Sequence, residues 1–371
     1  MTRLGDIATY VNGFAFKPSD WSNEGLPIIR IQDLTGNSYQ ANRYNGSYHP
    51  KYEVNDGDVL ISWSASLGVY VWKGEKAVLN QHIFKVVFDK SEVDKNFFVH
   101  QVQNILENAA SEAHGATMKH LTKPVFDALP FYLPNIEKQK EIASVLDKVT
   151  ELIALRKEQL VKLDQLVKSR FIELFGDVAN TPKYSAVPLG TICTTLSGGT
   201  PTTKIPEYYQ GDIPWISTPY LGNNHINGSS AKAYITEDAI KNSATHLIPA
   251  NTIMFGIRVG VGKSSIIDEP MCANQDIVAL MGIDTNKYNL LFIKHVLDGY
   301  QSHFDSIKKG ATILGITTDD LKKVMIPVVG SELQNQFATF VEQTDKSKSA
   351  IQQSLDKLES LKKSLMQEYF G

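Results

Sequence analysis

The sequence predicts an α/β (α+β) protein with two globular mixed α/β units, mainly antiparallel, each followed by one long helix. Three observations give this fold class. The chain has 371 residues, 42 % hydrophobic and 21 % charged, which are the values of a globular protein long enough for two domains. A set of short motifs recurs about halfway along the chain. Each copy then ends in an unbroken stretch of heptad-spaced apolar residues.

The repeat covers the whole chain, with an offset that grows from 185 to 195 residues through loop insertions. The recurring segments are Leu4–Ile7 with Leu189–Ile192, Leu26–Ile29 with Ile213–Ile216, Asn80-Gln81 with Asn274-Gln275, Gly115–Thr117 with Gly310–Thr312, and Ser169–Gly176 with Ser364–Gly371. The repeat predicts globular parts at 1–135 and 177–330 and helical parts at 136–176 and 331–371.

Short strands separated by Gly, Pro and Asn turns are predicted in each globular part. In the first copy these strands are Pro27–Gln32, Val59–Trp63, Val69–Trp72 and Ile83–Phe88. Asp94 is placed to cap a helix over Lys95–Asn108, and Asn289–Tyr300 takes that place in the second copy.

The helical parts show apolar residues at alternating steps of four and three, which is a coiled-coil seam. The apolar seam residues are Ile142, Leu146, Val149, Ile153, Leu160, Leu163, Val167 and Leu174, and then Phe337, Val341, Ile351, Leu355, Leu358 and Leu365. Arg156, Arg170, Lys348 and Lys362 fall on the same seam. They are expected to set the register, to face a partner helix, or to keep their charged ends in water.

The seam from Ile142 to Leu174 covers 33 residues, and a helix of that length spans about 50 Å. The two helices are expected to pair antiparallel, as equivalent helices of a pseudo-two-fold repeat do. Ordinary amphipathic packing inside a larger domain is the alternative. The length of the unbroken stretches argues against it, because an average globular helix has about three turns.

Charge and cysteine content exclude several classes of protein. The net charge of -3 and the pI near 6.3 lack the basic excess of a protein that binds DNA unaided, so any nucleic-acid contact is local or shared with a partner. Cys193 and Cys272 cannot form a four-cysteine zinc site, and we expect both to be reduced and structural. No signal-peptide core or membrane-spanning run is visible, which favours the cytoplasm.

Catalytic signatures are absent from the sequence. The segment Gly262-Lys263-Ser264 has the ending of a phosphate-binding loop, but Gly256 stands one place too early. Histidine pairs with metal-ligand spacing and the Asn-Pro-Pro-Tyr type of adenine-methylase motif are also missing. The sequence therefore predicts no catalytic residue, metal site or cofactor in this chain.

With these features, the chain resembles the specificity subunit of a type I restriction-modification system over its entire length. The resemblance is carried by the strand near the start of each unit (Leu26–Ile31, Ile213–Ser217), by the Gly-Ala-Thr loop, and by the helices Gln139–Phe175 and Gln334–Phe370. The resemblance implies that the globular parts are target recognition domains, each reading one half of a bipartite, asymmetric DNA site. It further implies that the helices set the spacing of the half-sites.

The same resemblance implies two methyltransferase subunits as partners, while these residues leave open whether nuclease subunits join them. S-adenosylmethionine, ATP and magnesium are then expected on the partner subunits. A coiled-coil interaction scaffold that does not touch DNA is the alternative, slightly favoured by the low charge. The unequal recognition halves on equal helices favour DNA reading.

Candidate DNA-contacting residues lie in loops that carry polar or basic groups beside aromatic residues or glycines. In the first copy they are Ser62, Trp63, Ser64, Ser66, His114, Thr117, Lys119 and His120, and in the second Arg258, Lys263, Lys308, Lys309 and Thr312. The alternative is that the Gly-Ala-Thr loop is a structural turn and the lysines belong to a solvated face. Asn80-Gln81 and Asn274-Gln275 are expected to do a shared structural job, because the two units should read different bases.

Overall fold

A computed structural model describes residues 2–36, 42–64, 66–112, 122–310 and 313–371. The chain divides into two compact units. Unit 1 consists of Met1–Lys157 with Gln353–Gly371, and unit 2 of Glu158–Gln352. Each of the two long helices therefore contributes residues to both units.

Unit 1 is built from short strands and from helices of very different length. Its strands are β1 (Thr2–Arg3), β2 (Thr9–Asn12), β3 (Leu26–Ile29), β4 (Arg43–Tyr44), β5 (Glu53–Val54), β6 (Val59–Ser62), β7 (Gly68–Val71), β8 (Ala77–Leu79), β9 (Ile83–Val87) and β10 (Pro130–Phe131). Its helices are α1 (Leu4–Ile7), α2 (Ile31–Leu34), α3 (Lys95–Glu112), α4 (Lys123–Ala128) and the first part of α5 (Ile136–Phe175), with single 3-10 turns at Pro18–Asp20 and Pro50–Tyr52.

Eight of the strands described for unit 1 form two four-stranded sheets, and β1 pairs with β10. One sheet has the order β2-β9-β6-β7 and is antiparallel throughout. The other has the order β4-β3-β8-β5, in which β3 and β8 run parallel. The strand predicted to reach Gln32 ends at Ile29, because the Asp33 carboxylate accepts a hydrogen bond from the Arg30 backbone N–H at 2.8 Å and the chain turns into α2.

Unit 2 repeats this arrangement. Its strands are β11 (Gly176–Asp177), β12 (Thr181–Pro182), β13 (Ala186–Pro188), β14 (Thr194–Ser197), β15 (Ile213–Ile216), β16 (His225–Ile226), β17 (Ala233–Ile235), β18 (Thr252–Gly256), β19 (Ser264–Ile267), β20 (Cys272–Ala273), β21 (Ile277–Met281) and β22 (Met325–Pro327). Its helices are the end of α5, α6 (Glu237–Lys241), α7 (Leu290–Gly299), α8 (Gln301–Ile307), α9 (Thr318–Lys322) and most of α10 (Ser331–Phe370), with 3-10 turns at Leu189–Thr191, Pro206–Tyr209, Thr218–Tyr220 and Gly228–Ser230.

The order of four strands in the largest sheet of unit 2 matches that of the antiparallel sheet in unit 1. The antiparallel run β14-β21-β18-β19 corresponds to β2-β9-β6-β7, and β16 adds a parallel edge strand. The three-stranded sheet β17-β15-β20 keeps the parallel pair, with β15 beside β20 as β3 lies beside β8 in unit 1. The tandem repeat predicted from the sequence is confirmed by this correspondence.

The cap predicted at Asp94 is confirmed, and the helix predicted over Asn289–Tyr300 is α7 (Leu290–Gly299), which Asn289 caps. The Asp94 side chain accepts a hydrogen bond from the Phe97 backbone N–H at 2.9 Å at the start of α3. Asn289 accepts from Leu291 N–H at 3.0 Å at the start of α7. Polar caps satisfy backbone donors that the first turn of a helix leaves unpaired.

The two long helices meet in each unit in opposite directions. In unit 1, Lys157 pairs with Glu359 at 2.8 Å, while Met366 packs in the same core as Ile142. In unit 2, Lys348 pairs with Asp164 at 2.6 Å, while Phe337 contacts Phe171. Residue numbers therefore rise along one helix where they fall along the other. The two helices run antiparallel, as the sequence predicts. All the seam positions are buried or half-buried, the charged ones included.

In each unit, one hydrophobic core combines a globular part with helix residues of the other copy. In unit 1 the core around Phe97 includes Met366, and Phe370 packs against it. In unit 2 the core around Phe292 includes Phe171 and Phe175. The end of each long helix thus completes the globular unit that belongs to the other half of the sequence.

Both cysteines are free and buried. Burial raises the pKa of the Cys193 and Cys272 thiols to about 11. The thiols therefore stay protonated and poorly nucleophilic near neutral pH, in keeping with the structural role expected of them.

Candidate nucleic-acid interface

The glycine-rich segment of unit 2 is a tight hairpin loop between β18 and β19. Gly256 N–H donates to the Lys263 carbonyl at 2.8 Å and Lys263 N–H to the Gly260 carbonyl at 3.1 Å. Gly260 and Gly262 have φ of 81° and 92°, a region that favours glycine. The loop presents Arg258 to solvent, with its side chain 54 % exposed.

A second loop of unit 2 lies against this hairpin. Lys309 and Gly315 exchange two backbone hydrogen bonds of 2.9 and 3.0 Å, which close the loop between them. Ile316 N–H then donates to the Ile257 carbonyl at 2.9 Å. The contact brings the predicted residues Arg258 and Lys309 to the rim of one cavity of about 330 Å³.

Arg258 is the best-positioned of the predicted cations. Its guanidinium lies 3.9 Å from the carboxylate of Asp276, whose side chain is only 14 % exposed. Asp276 is held in turn by Asn274, which donates to its carboxylate at 3.2 Å and accepts from its backbone N–H at 3.3 Å. A half-buried, anchored carboxylate orients the guanidinium electrostatically while leaving more than half of the Arg258 side chain exposed to solvent.

The lysines of unit 2 are placed differently from one another. Lys263 and Lys309 are exposed, Lys263 in the glycine-rich loop itself. Lys308 pairs with Asp305, and the hydrogen bond from Lys308 lowers the pKa of that carboxyl. Lys308 is therefore already engaged at the end of its own helix, whereas the side chains of Lys263 and Lys309 are exposed.

In unit 1 the predicted serines fall mostly inside the structure. Ser62 is buried, and its hydroxyl donates to the Ser64 carbonyl at 3.2 Å. Ser64 is 5 % exposed. The sequence suggested exposed turn hydroxyls, but both serines stabilise the turn after β6, so neither hydroxyl faces solvent. Ser66 alone among the three is exposed.

Trp63 is half-buried at the same turn. Its ring stacks on Phe84 with centroids 5.6 Å apart, and its indole N–H donates to Asn12 at 3.4 Å. His82 lies beside it, with ring centroids 5.0 Å apart. The indole therefore braces the hairpin and exposes only part of its surface. The remaining predicted residues, His114, Thr117, Lys119, His120 and Thr312, lie outside the described residues.

The recurring Asn-Gln pair occupies an equivalent place in both units. Asn80 N–H donates to the Ile29 carbonyl at 3.1 Å, and Asn274 N–H to the Ile216 carbonyl at 3.0 Å. These are equivalent bonds between equivalent strand ends. The asparagine backbone therefore makes the same strand-end contact in both units, and a structural role for the side chains of the pair stays a prediction.

Sequence reasoning missed two features. One is Asp276, which directly follows the repeated Asn-Gln pair. The two copies differ at this position, and that difference is the sequence signal that could have drawn attention to it. The other is a partly exposed aromatic cluster of unit 1, in which Phe14 contacts Phe16 and Tyr52 with centroids 4.9 and 5.6 Å apart. Lys51 lies over the Tyr52 ring at 4.8 Å. No local pattern joins these residues, because separate turns bring them together.

Within the part of the chain that the structure describes, no three His, Cys, Asp or Glu side chains are grouped to hold a metal ion. None of the described helices is long and apolar enough to cross a lipid bilayer.

A family model for the type I restriction modification DNA specificity domain matches residues 1–165 and again 183–361. The duplicated sheet scaffold and the paired helices fit that assignment. This chain belongs to the family of type I restriction-modification DNA specificity domains. The matched family is a specificity domain and carries no catalytic designation.

Individual relatives agree with the family assignment. The specificity subunit of the type I restriction enzyme EcoBI from Escherichia coli is 30 % identical over 168 residues, covering 44 % of this chain and 35 % of that subunit. The MjaVIII specificity subunit from Methanocaldococcus jannaschii is 21 % identical over 396 residues, covering 99 % of this chain and 90 % of that subunit. The chain thus spans about a third of the EcoBI subunit's length and most of the MjaVIII subunit's.

Solved structures share the fold. The crystal structure of a type I restriction-modification S subunit from M. genitalium superposes with a TM-score of 0.60 at 14 % identity, covering all of this chain and 95 % of that one. A chain from a structural study of complex assembly and conformational transition of a type I system gives 0.58 at 16 % identity, covering all of this chain and 96 % of that one.

Proposed function

We propose that this chain is the subunit that gives a type I restriction-modification complex its DNA sequence specificity. Each unit reads one half of a bipartite, asymmetric target, and the paired helices set the spacing of the halves. The chain itself supplies no catalytic residue. S-adenosylmethionine, ATP and magnesium are bound by partner subunits, and the complex works in the cytoplasm.

One observation carries this proposal. The two units share sheet order and strand register, yet their β6–β7 and β18–β19 hairpins carry different side chains at equivalent positions. A duplicated scaffold with different exposed loops suits two readers of different sequences. Base contacts carry sequence information, while phosphate contacts only position the protein.

The low net charge fits a reader that shares DNA with its partners. With a net charge of -3, the chain has no excess of cations to neutralise many phosphates. We propose that the methyltransferase subunits supply that positive charge around the same duplex. The chain then contributes local base contacts, for which a few side chains such as Arg258 suffice.

The long helices offer surfaces for those partners. On α5, Leu152 and Leu155 are exposed in unit 1, and Val161, Leu166 and Ile172 are exposed in unit 2. These residues lie off the seam, so pairing with α10 does not cover them. Contiguous exposed apolar side chains mark a surface for association with another protein, and Leu152 and Leu155 stand one helical turn apart. We propose that two methyltransferase subunits dock there, with nuclease subunits binding outside them.

The test compares methylomes by single-molecule sequencing in cells that express the adjacent methyltransferase with and without this chain. Methyl-adenine at one bipartite motif, only when the chain is present, is the expected result. If the two proteins co-purify but methylation does not change, the DNA-reading proposal fails. The chain would then act as an interaction scaffold.

A further inference from the structure

We infer that Arg258 is a base-reading side chain of unit 2, which takes the major-groove edge of a guanine and is positioned by Asp276 and Asn274. This inference rests on the proposed function, since it names the base that one exposed loop recognises. It follows from comparing the two copies of the scaffold at the same hairpin.

The hairpins of the two units are equivalent in their backbone contacts. Strand β18 pairs Phe255 with Ser264 on one side and with Val278 on the other. Strand β6 pairs Ile61 with Val69 and Phe84. In both units, this register places the first residue after the strand (β6 or β18) next to the turn that leads into the neighbouring strand (β9 or β21).

That next contact is again common to both units. Ile257 N–H donates to the Asp276 carbonyl at 2.9 Å, and Trp63 N–H donates to the His82 carbonyl at 3.3 Å. The position that follows is Arg258 in unit 2 and Ser64 in unit 1. Arg258 and Asp276 therefore occupy the places of Ser64 and His82.

The side chains at these positions differ although the backbone contacts are the same. Unit 2 has an exposed cation, Arg258, 3.9 Å from a half-buried carboxylate, whereas unit 1 has the buried Ser64 in place of Arg258 and a histidine in place of Asp276. Side chains that change while their scaffold is kept are the ones that distinguish two half-sites. Structural positions behave otherwise, as Asn80 and Asn274 show by keeping both residue and contact.

Guanine is the base that fits Arg258. A guanidinium donates two parallel hydrogen bonds to the O6 and N7 acceptors of guanine, and this is the commonest specific contact in the major groove. At 3.9 Å the Asp276 carboxylate attracts the guanidinium without a hydrogen bond between the two groups. The carboxylate thus orients Arg258 and leaves its donors for the base edge.

The experiment measures the methylated motif produced by the methyltransferase with the full chain and with three variants of Arg258. In the Arg258→Ala chain, we expect the preference for G·C over the other base pairs to fall roughly 10- to 100-fold at one position, in one half of the motif. The other half of the motif keeps its wild-type sequence. Arg258→Lys is expected to retain part of the preference for guanine, and Arg258→Gln to shift the position towards adenine.

Asp276→Asn tests the positioning role. It should weaken discrimination at the same base pair and nowhere else, while the unfolding temperature of the chain stays at the wild-type value. Lys241→Ala, an exposed cation of α6 in the same unit, is the matched control and should leave the whole motif unchanged.

Two results would overturn the inference while leaving the proposed function standing. One is a wild-type motif, with full discrimination in both halves, from the Arg258→Ala chain. The other is Arg258→Ala abolishing methylation everywhere while Arg258→Gln keeps the wild-type motif. If instead the unaltered chain directs methylation to no motif, the proposed function itself fails.

Discussion

The Phe175 ring is tilted against that of Phe292, with ring centroids 4.8 Å apart and planes at 59°. The equivalent pair of the repeat is Phe370 with Phe97, each 195 residues away from its counterpart, and their ring centroids are 5.5 Å apart. In both pairs a helix end from one copy packs on the globular part of the other copy. The pairs hold each composite core together, and they allow a matched comparison.

Phe175→Ala is expected to destabilise unit 2 by about 3–5 kcal/mol, because a fully buried ring is replaced by a cavity. Phe370→Ala is expected to lower the stability of unit 1 by a smaller amount, since Phe370 is only half-buried. Hydrogen exchange followed by mass spectrometry reports on each unit separately. Equal losses of protection from the two variants would contradict the burial argument.

Gln334→Leu is expected to destabilise unit 2 by about 2–4 kcal/mol. The buried amide accepts from the Asn289 backbone N–H at 2.8 Å and donates to the carbonyls of Lys287 and Val329 at 3.0 and 2.9 Å. Leucine would leave these buried groups unpaired.

The matched control for that substitution is Gln336→Leu, two residues along α10 at an exposed position. Denaturant unfolding of the two variants should separate the effects. A similar midpoint for both would mean that the amide network of Gln334 contributes nothing to stability.

Acid is expected to weaken unit 2 through His295. Burial lowers the pKa of His295 from its ordinary value of 6.5 to about 4, although the nearby Asp298 carboxylate acts in the opposite direction. The unfolded chain therefore takes up the proton first as the pH falls, and the folded state loses stability. Between pH 6.5 and 5 the loss is about 2 kcal/mol.

His295→Leu should flatten this pH dependence, whereas His303→Leu, at an exposed position, should keep it. Trp215 is the tryptophan of unit 2 and reports its unfolding by fluorescence. An unchanged slope of stability against pH in the His295→Leu chain would show that another group takes up the proton.

The pair of Lys348 and Asp164 joins the long helices within unit 2 at 2.6 Å, with side chains 33 % and 64 % exposed. Asp164→Lys is expected to cost about 0.5–1 kcal/mol at low salt, because solvent screens exposed pairs. Adding Lys348→Asp should restore the loss. A double-mutant cycle with no coupling energy would mean that the pair does not hold the register.

Local rules predicted the parts of this fold that depend on neighbours in sequence. The cap at Asp94, the seam from Ile142 onward and the hairpin strand at Val59 all follow from spacing and residue type. The helical turn at Ile31 escaped prediction because one carboxylate, that of Asp33, outweighs the strand pattern there.

The candidate site was harder to predict. Ile257 and Ile316 are joined by one backbone hydrogen bond, and nothing between them in sequence announces that contact. Serine hydroxyls likewise look the same in sequence whether they face solvent or a carbonyl, as Ser62 does. The cation Arg258 was predicted, and its partner Asp276 emerged only from the packed structure.

The composite cores also determine the order in which the two units can fold during synthesis. Unit 2 is continuous in sequence, so its core can close once the ribosome has released Gln352. Unit 1 must wait for Gln353–Gly371, and until then the apolar groups around Phe97 lack their last partners. Closing it joins segments almost 200 residues apart, which is slow compared with local folding. Nascent unit 1 is therefore the half of the chain that a chaperone would meet first and hold longest.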